Sequence, residues 1–167
     1  MNTDSSRCPV LVLGMGNLLL EDEGLGIRAL ELLQQRYEIP PGLELLDGGT
    51  TGMGLLDDMS RREHVLVLDA CQTGDPPGTL IRLADDQVPV YFSMRISPHQ
   101  LGLSDVLATL ELSGEKPAEV IVLGLVPYSL EMCLELSNVV AGKLDNLVEA
   151  AVQELARLGY PLSPKAG

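Results

Sequence analysis

Apolar residues fall along this chain in two alternating rhythms. Short, nearly unbroken apolar runs stand at residues 10–14 (VLVLG), 43–46 (LELL), 65–68 (VLVL), 79–83 (TLIRL) and 119–126 (EVIVLGLV). Runs of this length suit strands buried on both faces. Between them lie segments of helical period. Residues 24–37 carry apolar side chains at 25, 27, 29, 30, 32 and 33, and Pro40-Pro41 ends the stripe. Residues 53–59 read as a short helix. Ser97-Pro98-His99-Gln100 opens another, with Ser at the N-cap, Pro at the first helical position and Gln three residues after the cap. It should run to about residue 112. Ser137 caps a further long helix, expected to end near Gly159 as a C′ glycine. Asp47-Gly48-Gly49-Thr50 reads as a sharp turn, residues 1–9 as a polar extension and residues 160–167 as a frayed tail. Buried strands alternating with helices predict an α/β fold: a three-layer α/β/α domain with a mostly parallel twisted sheet flanked by helices. No linker, repeat or low-complexity tract interrupts the 167 residues, so the chain reads as one domain over 1–167.

Charge narrows the partners. The chain has 24 Asp+Glu against 11 Lys+Arg, a formal net charge of −13, with one Phe and no Trp. Such a surface repels phosphate backbones and offers no base-stacking platform, which excludes nucleic acid. No apolar run approaches the ~18 residues of a membrane-spanning helix. The polar start lacks the basic-then-apolar pattern of a secretion signal. Cys8, Cys71 and Cys133 are odd in number, far apart and free of any CxxC pair, so they read as thiols in a reducing cytoplasm.

In parallel sheets of this kind, sites form beyond the carboxyl ends of the strands. Glu21, Asp22 and Glu23 follow the first strand, Asp47 the second and Asp69 the third. These five acids crowd one edge, where a cation would offset their repulsion. Of the two histidines, His64 precedes the third strand and belongs to the opposite edge, whereas His99 stands in the first turn of a helix. Glu23, Asp69 and His99 form a candidate three-ligand site for a borderline divalent ion such as Zn²⁺ or Ni²⁺, with positions left open. Each also has a plainer reading. Glu23 suits a helix N-terminus, Asp69 a turn cap and His99 an ordinary surface position.

Other chemistry is weaker. Gly14-Met15-Gly16-Asn17-Leu18-Leu19 begins like a dinucleotide fingerprint, but Leu19 stands where the third glycine is needed. A non-catalytic nucleotide-binding module is the alternative reading that this loop leaves. Cys71, two residues after Asp69, is a candidate nucleophile with His99 as base, or a small core residue. The paired glycines after Asp47 expose backbone N–H groups that suit an extended peptide.

Five segments occur together and in order: VLVLGMGNLLLEDEGLG (10–26), LLDGGTTGMGLL (45–56), VLVLDA (65–70), ISPHQLGLSDVL (96–107) and VIVLGLVPYSLE (120–131). In these the chain resembles the hydrogenase maturation endopeptidases, over roughly residues 10–160. The resemblance implies a nickel-dependent endopeptidase that trims the C-terminal extension of the [NiFe]-hydrogenase large-subunit precursor. The metal implied is nickel carried in by that precursor, or another divalent metal ion. Family metal ligands match Glu23, Asp69 and His99, and the acid of the DGGT segment, implicated in activity, matches Asp47. Catalytic roles are therefore expected for Asp47, Glu23 and Asp69, with Asp47 or Glu23 as general base.

Overall fold

A computed structural model describes residues 7–49, 52–94 and 98–166, without the side chains of residues 52, 53 and 98–101. Five strands form the central sheet: β1 (Val10–Met15), β3 (Leu43–Gly49), β4 (His64–Ala70), β5 (Leu80–Ala84) and β6 (Glu119–Leu125). Their order is β3-β1-β4-β6-β5. The first four are parallel, and β5 runs antiparallel to β6 at one edge. The mostly parallel three-layer fold read from the sequence is thus the one observed.

Strand alternation sorts the core into two clusters. Val10 and Val12 of β1 pack with α1 (Leu25–Arg36), α5 (Asn138–Ala141) and α6 (Leu144–Arg157). Leu11, Leu13 and Met15 pack on the other face with α2 (Leu56–Met59), α3 (Gln87–Ser93) and α4 (Pro98–Ser113). Because β1, β4 and β6 are covered on both faces, their side chains are almost all buried, which explains their unbroken apolar runs.

Four local expectations need correction. The long helix predicted from Ser137 is two helices. The Ser137 hydroxyl accepts the Val140 N–H at 3.3 Å and caps α5, but Gly142 ends it after one turn before α6 begins. Gly159, at φ +95°, does sit just past the end of α6. The DGG segment is not simply a turn, since β3 continues through Gly49. Its register on β1 slips between Gly14, opposite Asp47, and Met15, opposite Gly49, so Gly48 is bulged. Thr50 and the expected cap Ser97 lie outside the described residues. Helix α3 was not anticipated, because its QVPVYFS sequence is rich in β-branched and aromatic residues. Finally, residues 160–166 are not a frayed tail. Ser163–Pro164 (β7) pairs antiparallel with Tyr37–Glu38 (β2), the Lys165 N–H donates to the Arg36 carbonyl at 2.9 Å, and Tyr160 and Leu162 pack on the core.

Toward the amino edge, Arg82 and Arg157 both pair with the buried carboxylate of Glu154, and Arg157 reaches on to Glu119 at 3.0 Å. His64 opens β4 beside Glu119, at the edge assigned to it.

Candidate active site at the carboxyl edge

The sheet order places a topological switch between β1 and β4. From β1 the chain leads through α1 to β3 on one side, and from β4 it leads toward β5 and β6 on the other. The crevice beyond such a pair is where open α/β sheets bind ligands. Glu21–Gly24 form a short 3-10 turn that packs against β4 and passes directly into α1.

Two glycines bring this turn onto the strands. Gly16 leaves β1 at φ +129°, and a methyl group there would lie 1.8 Å from the Glu23 carbonyl oxygen. Only glycine allows that backbone contact. A methyl at Gly26 would lie 2.0 Å from the Leu68 carbonyl oxygen and 2.7 Å from that of Met15. The first turn of α1 therefore rests on the ends of β1 and β4. Glu23 lies three residues before Gly26, and Asp69 one residue after Leu68, so the two acids share one corner of the sheet.

Their settings differ. Glu23 is half-buried, whereas Asp69 is only 1% exposed. Asp69 Oδ1 accepts the Ala70 N–H at 2.8 Å, which sets the rotation of its carboxylate. Alternation along β4 aims Asp69 at the α4 layer, with Val65 and Val67. His99 lies in the first turn of α4. That helix ends near the loop entering β6 at the amino edge, so its first turn belongs to the carboxyl edge. The imidazole itself lies outside the described residues. Among the described residues no three His, Cys, Asp or Glu side chains gather around one metal position. Half-buried and buried carboxylates on neighbouring elements are nonetheless a donor pair suited to a divalent cation.

Asp47 stands apart from this pair. Gly14 is paired with Asp47 on one side and Leu68 on the other, so Asp47 lies level with the Asp69 edge, two strand spacings or about 10 Å across. Its carboxylate is exposed, Oδ1 accepts the Gly49 N–H at 2.9 Å, and alternation with Leu43 and Leu45 puts it toward the α1 layer. It also sits on an edge strand, and among the described residues no strand pairs with the outer edge of β3.

Asp22 does not face the open carboxyl edge as the neighbouring acids were expected to. It is fully buried and turned inward. Oδ2 accepts the N–H groups of Tyr128 (2.8 Å) and Ser129 (3.1 Å) and the Ser137 hydroxyl (2.8 Å), and Oδ1 accepts the Ser137 N–H (2.8 Å). Four donors meet its charge and fasten the loop after β6 to the turn that carries Glu23. Tyr91 holds the exit of β4 in a similar way: its hydroxyl accepts the Gln72 N–H at 2.9 Å and faces the Ala70 carbonyl at 3.5 Å. Neither tie was foreseen. Asp22 was hidden among adjacent acids, and Tyr91 lies on the unexpected α3. A signal for α3 was present in Asp85-Asp86 followed by Pro89, acids and a proline at a helix start.

Cys71 is fully buried in the α4-side core, which supports its packing role over an open nucleophile. The glycine loop after β1 does not form a phosphate cradle. Asn17 closes it by accepting the Leu19 N–H through Oδ1 (2.9 Å) and the Leu20 N–H through its carbonyl (3.2 Å), while the Glu23 carbonyl fills the space at Gly16.

Comparison with known proteins gives one answer. A family model described as hydrogenase maturation protease matches residues 27–154, a stretch that includes Asp47, Asp69 and His99 and begins just after Glu23. The chain is 43% identical over 157 residues to the hydrogenase 2 maturation protease of Escherichia coli strain K12, covering 93% of this chain and 96% of the relative. Its structure is similar to that of the hydrogenase maturating endopeptidase HybD from E. coli, with a TM-score of 0.91 and 43% identity over 93% of this chain and 97% of the other. It is also similar to the [NiFe] hydrogenase maturation protease HybD from Thermococcus kodakarensis, with a TM-score of 0.72 and 28% identity over 88% and 98% of the two chains. These matches support the endopeptidase reading and not the nucleotide-binding alternative. The chain belongs to the hydrogenase maturation protease family.

Proposed function

We propose that this protease removes the C-terminal extension of the [NiFe]-hydrogenase large-subunit precursor after nickel insertion, in the cytoplasm. The observation that carries the reading is the meeting of the Glu23 turn with the Asp69 end of β4 at the switch point, in a chain of this family. Cys8, Cys71 and Cys133 are thiols, in keeping with a reducing compartment. No described helix is long and apolar enough to cross a membrane.

Nickel is part of the substrate in this reading. Glu23, Asp69 and His99 receive it as the precursor docks, and Asp69, held by the Ala70 N–H, is the fixed member of the set. Bound there, the cation supplies positive charge that registers the precursor and favours build-up of negative charge on the scissile carbonyl. The chain supplies the rest. The outer edge of β3, bearing Asp47-Gly48-Gly49, offers main-chain groups to an extended substrate segment. Asp47 across the sheet, or Glu23 where it does not hold the cation, takes a proton from water as its oxygen bonds to the scissile carbon. The C–N bond then breaks, and the departing amine receives the proton. With Asp47 in that role the enzyme is an aspartic-type endopeptidase.

The test is direct. Purified chain is incubated with nickel-loaded precursor, and the size shift is followed on a gel. Glu23→Gln, Asp69→Asn and His99→Ala should each abolish cleavage while far-UV circular dichroism stays unchanged. Full cleavage by Asp69→Asn would remove that residue from the site. Equal cleavage of nickel-free precursor would overturn the nickel requirement.

A further inference from the structure

The loop that leaves β6 turns apolar side chains to solvent. Between Val126 and Leu136, apolar residues stand at every second position, Tyr128, Leu130, Met132 and Leu134, with Glu131 and Glu135 among them and no Lys or Arg. All four are exposed, Met132 at 86%. Leu19, in the loop that leaves β1, is exposed too and joins them, because the Cys133 N–H donates to its carbonyl at 3.0 Å. Of the ten large apolar side chains exposed among the described residues, these five gather at one corner. Single exposed apolar residues need no explanation, but a contiguous group marks an interaction site.

The loop is held in a fixed shape while it shows these side chains. Asp22 accepts the N–H groups of Tyr128, Ser129 and Ser137. The Glu21 N–H donates to the Cys133 carbonyl at 2.9 Å, and the Arg28 guanidinium donates to the Leu134 carbonyl at 3.0 Å. All of these partners lie between residues 19 and 28, so the patch is fastened to the segment that carries Glu23. A surface ordered in advance loses little conformational freedom on binding, which lowers the cost of association. Tyrosine and methionine are enriched in protein interfaces, and methionine adapts to irregular partners.

Charge selects the partner. Glu131 and Glu135 stand between the apolar positions and Glu21 beside them, on a chain of net charge −13. A second copy would bring like charge to the patch, and an anionic membrane surface would be repelled. A protein surface that is apolar at its centre and framed by Lys and Arg fits.

We propose that Leu19 and residues 128–134 form a docking surface for the folded body of the large-subunit precursor, meeting an apolar patch framed by Lys and Arg. The inference rests on the endopeptidase reading, since a precursor held at the Glu23–Asp69 corner lies against this loop. The patch adds affinity away from the scissile bond and leaves the chemistry to the corner.

Two measurements on the full chain test it. In the first, processing of nickel-loaded precursor is timed. Met132→Asp and Leu134→Asp should each raise KM about tenfold with kcat within about threefold of wild type, the signature of lost ground-state binding. Leu112→Asp, also exposed but near the amino edge, should change neither. An unchanged KM in both patch variants overturns the docking surface and leaves the endopeptidase reading intact. A concentration-dependent dimer in sedimentation that Met132→Asp disperses, with KM unchanged, assigns the patch to a second copy and overturns the proposal as well. In the second, Cys133, exposed next to Met132, is alkylated by excess iodoacetamide with and without nickel-free precursor, and its modification is followed by mass spectrometry. The precursor should slow that modification about fivefold and leave Cys8, on the amino side, unaffected. Equal rates at Cys133 overturn the docking surface. Precursor that shields Cys133 but is never cut, with or without nickel, overturns the endopeptidase reading and supports the docking surface.

Discussion

Replacing Asp22 by Asn changes one atom and should unfasten the loop after β6. In the wild type, Oδ2 carries three hydrogen bonds, from Tyr128, Ser129 and the Ser137 hydroxyl, while Oδ1 carries the Ser137 N–H. An asparagine has one oxygen. Placed at the three-donor position, it leaves its NH₂ facing the buried Ser137 N–H, donor against donor. Stranding that N–H costs about 1–3 kcal/mol. The three retained bonds also pass from a charged to a neutral acceptor, each weaker by several tenths of a kcal/mol. The sum is about 3 kcal/mol. The opposite rotamer is worse, because it strands three donors. For a chain of this size the loss corresponds to a fall in Tm of roughly 6–12 °C. Urea unfolding followed by circular dichroism should show a lower midpoint with an unchanged slope. Hydrogen exchange at Tyr128, Ser129 and Ser137 should accelerate. A variant within 0.5 kcal/mol of wild type, with those amides still protected, would refute the reasoning and return Asp22 to the acids of the open edge; that threshold is about the scatter of neutral surface substitutions.

Three further outcomes follow from the packing. Burial pushes the Glu154 carboxyl up, but hydrogen bonds from Arg82 and Arg157 outweigh it and hold the group below its ordinary 4.5. A lowered folded value means that its stabilisation is fully present above the ordinary 4.5 and is lost as pH falls through the folded value. Glu154→Gln should therefore cost about 1–2 kcal/mol at pH 7, the arginines being 47% and 48% exposed and free to rehydrate. The cost should shrink in urea titrations as the pH is taken below 4.5, and an equal cost there and at pH 7 would contradict the ion network. Gly26→Ala should cost about 3 kcal/mol, because its methyl meets two backbone oxygens that cannot yield, and processing should fall with it. Normal stability and cleavage would show that α1 can lift from β4 freely. Tyr91→Phe should cost about 1 kcal/mol by removing the acceptor of the Gln72 N–H, and an unchanged urea midpoint would dismiss that bond.

The layers were legible in the sequence because the strands are covered on both faces, and uninterrupted apolar runs such as VLVLG have no other economical use in a chain of this length. The corner holding Glu23 and Asp69 was legible for a related reason. Parallel strands deliver whatever follows them to the same edge, so residues 46 positions apart become neighbours without any local motif. What escaped were ties between elements far apart in sequence. Asp22 and Ser137 lie 115 residues apart, and nothing near either one announces the other. Local propensity misled at α3, where burial of Tyr91 and Phe92 overrides a sequence poor in helix formers. It also misled at the C-terminal segment, where two apolar anchors decide the outcome in place of the polar residues around them.

The β2–β7 strap bears on access to the candidate site. Helix α1 starts at the Glu23 corner and ends at Arg36, where Lys165 is attached, so residues 163–165 leave from the amino side of the sheet. Residues 7–9 leave from the same side, with the Cys8 carbonyl bonded to Arg62 and the Pro9 carbonyl to Glu63 and His64. The described residues thus begin and end on the side of the sheet away from the carboxyl edge. That edge stays open to a folded protein as large as the substrate this enzyme is proposed to trim.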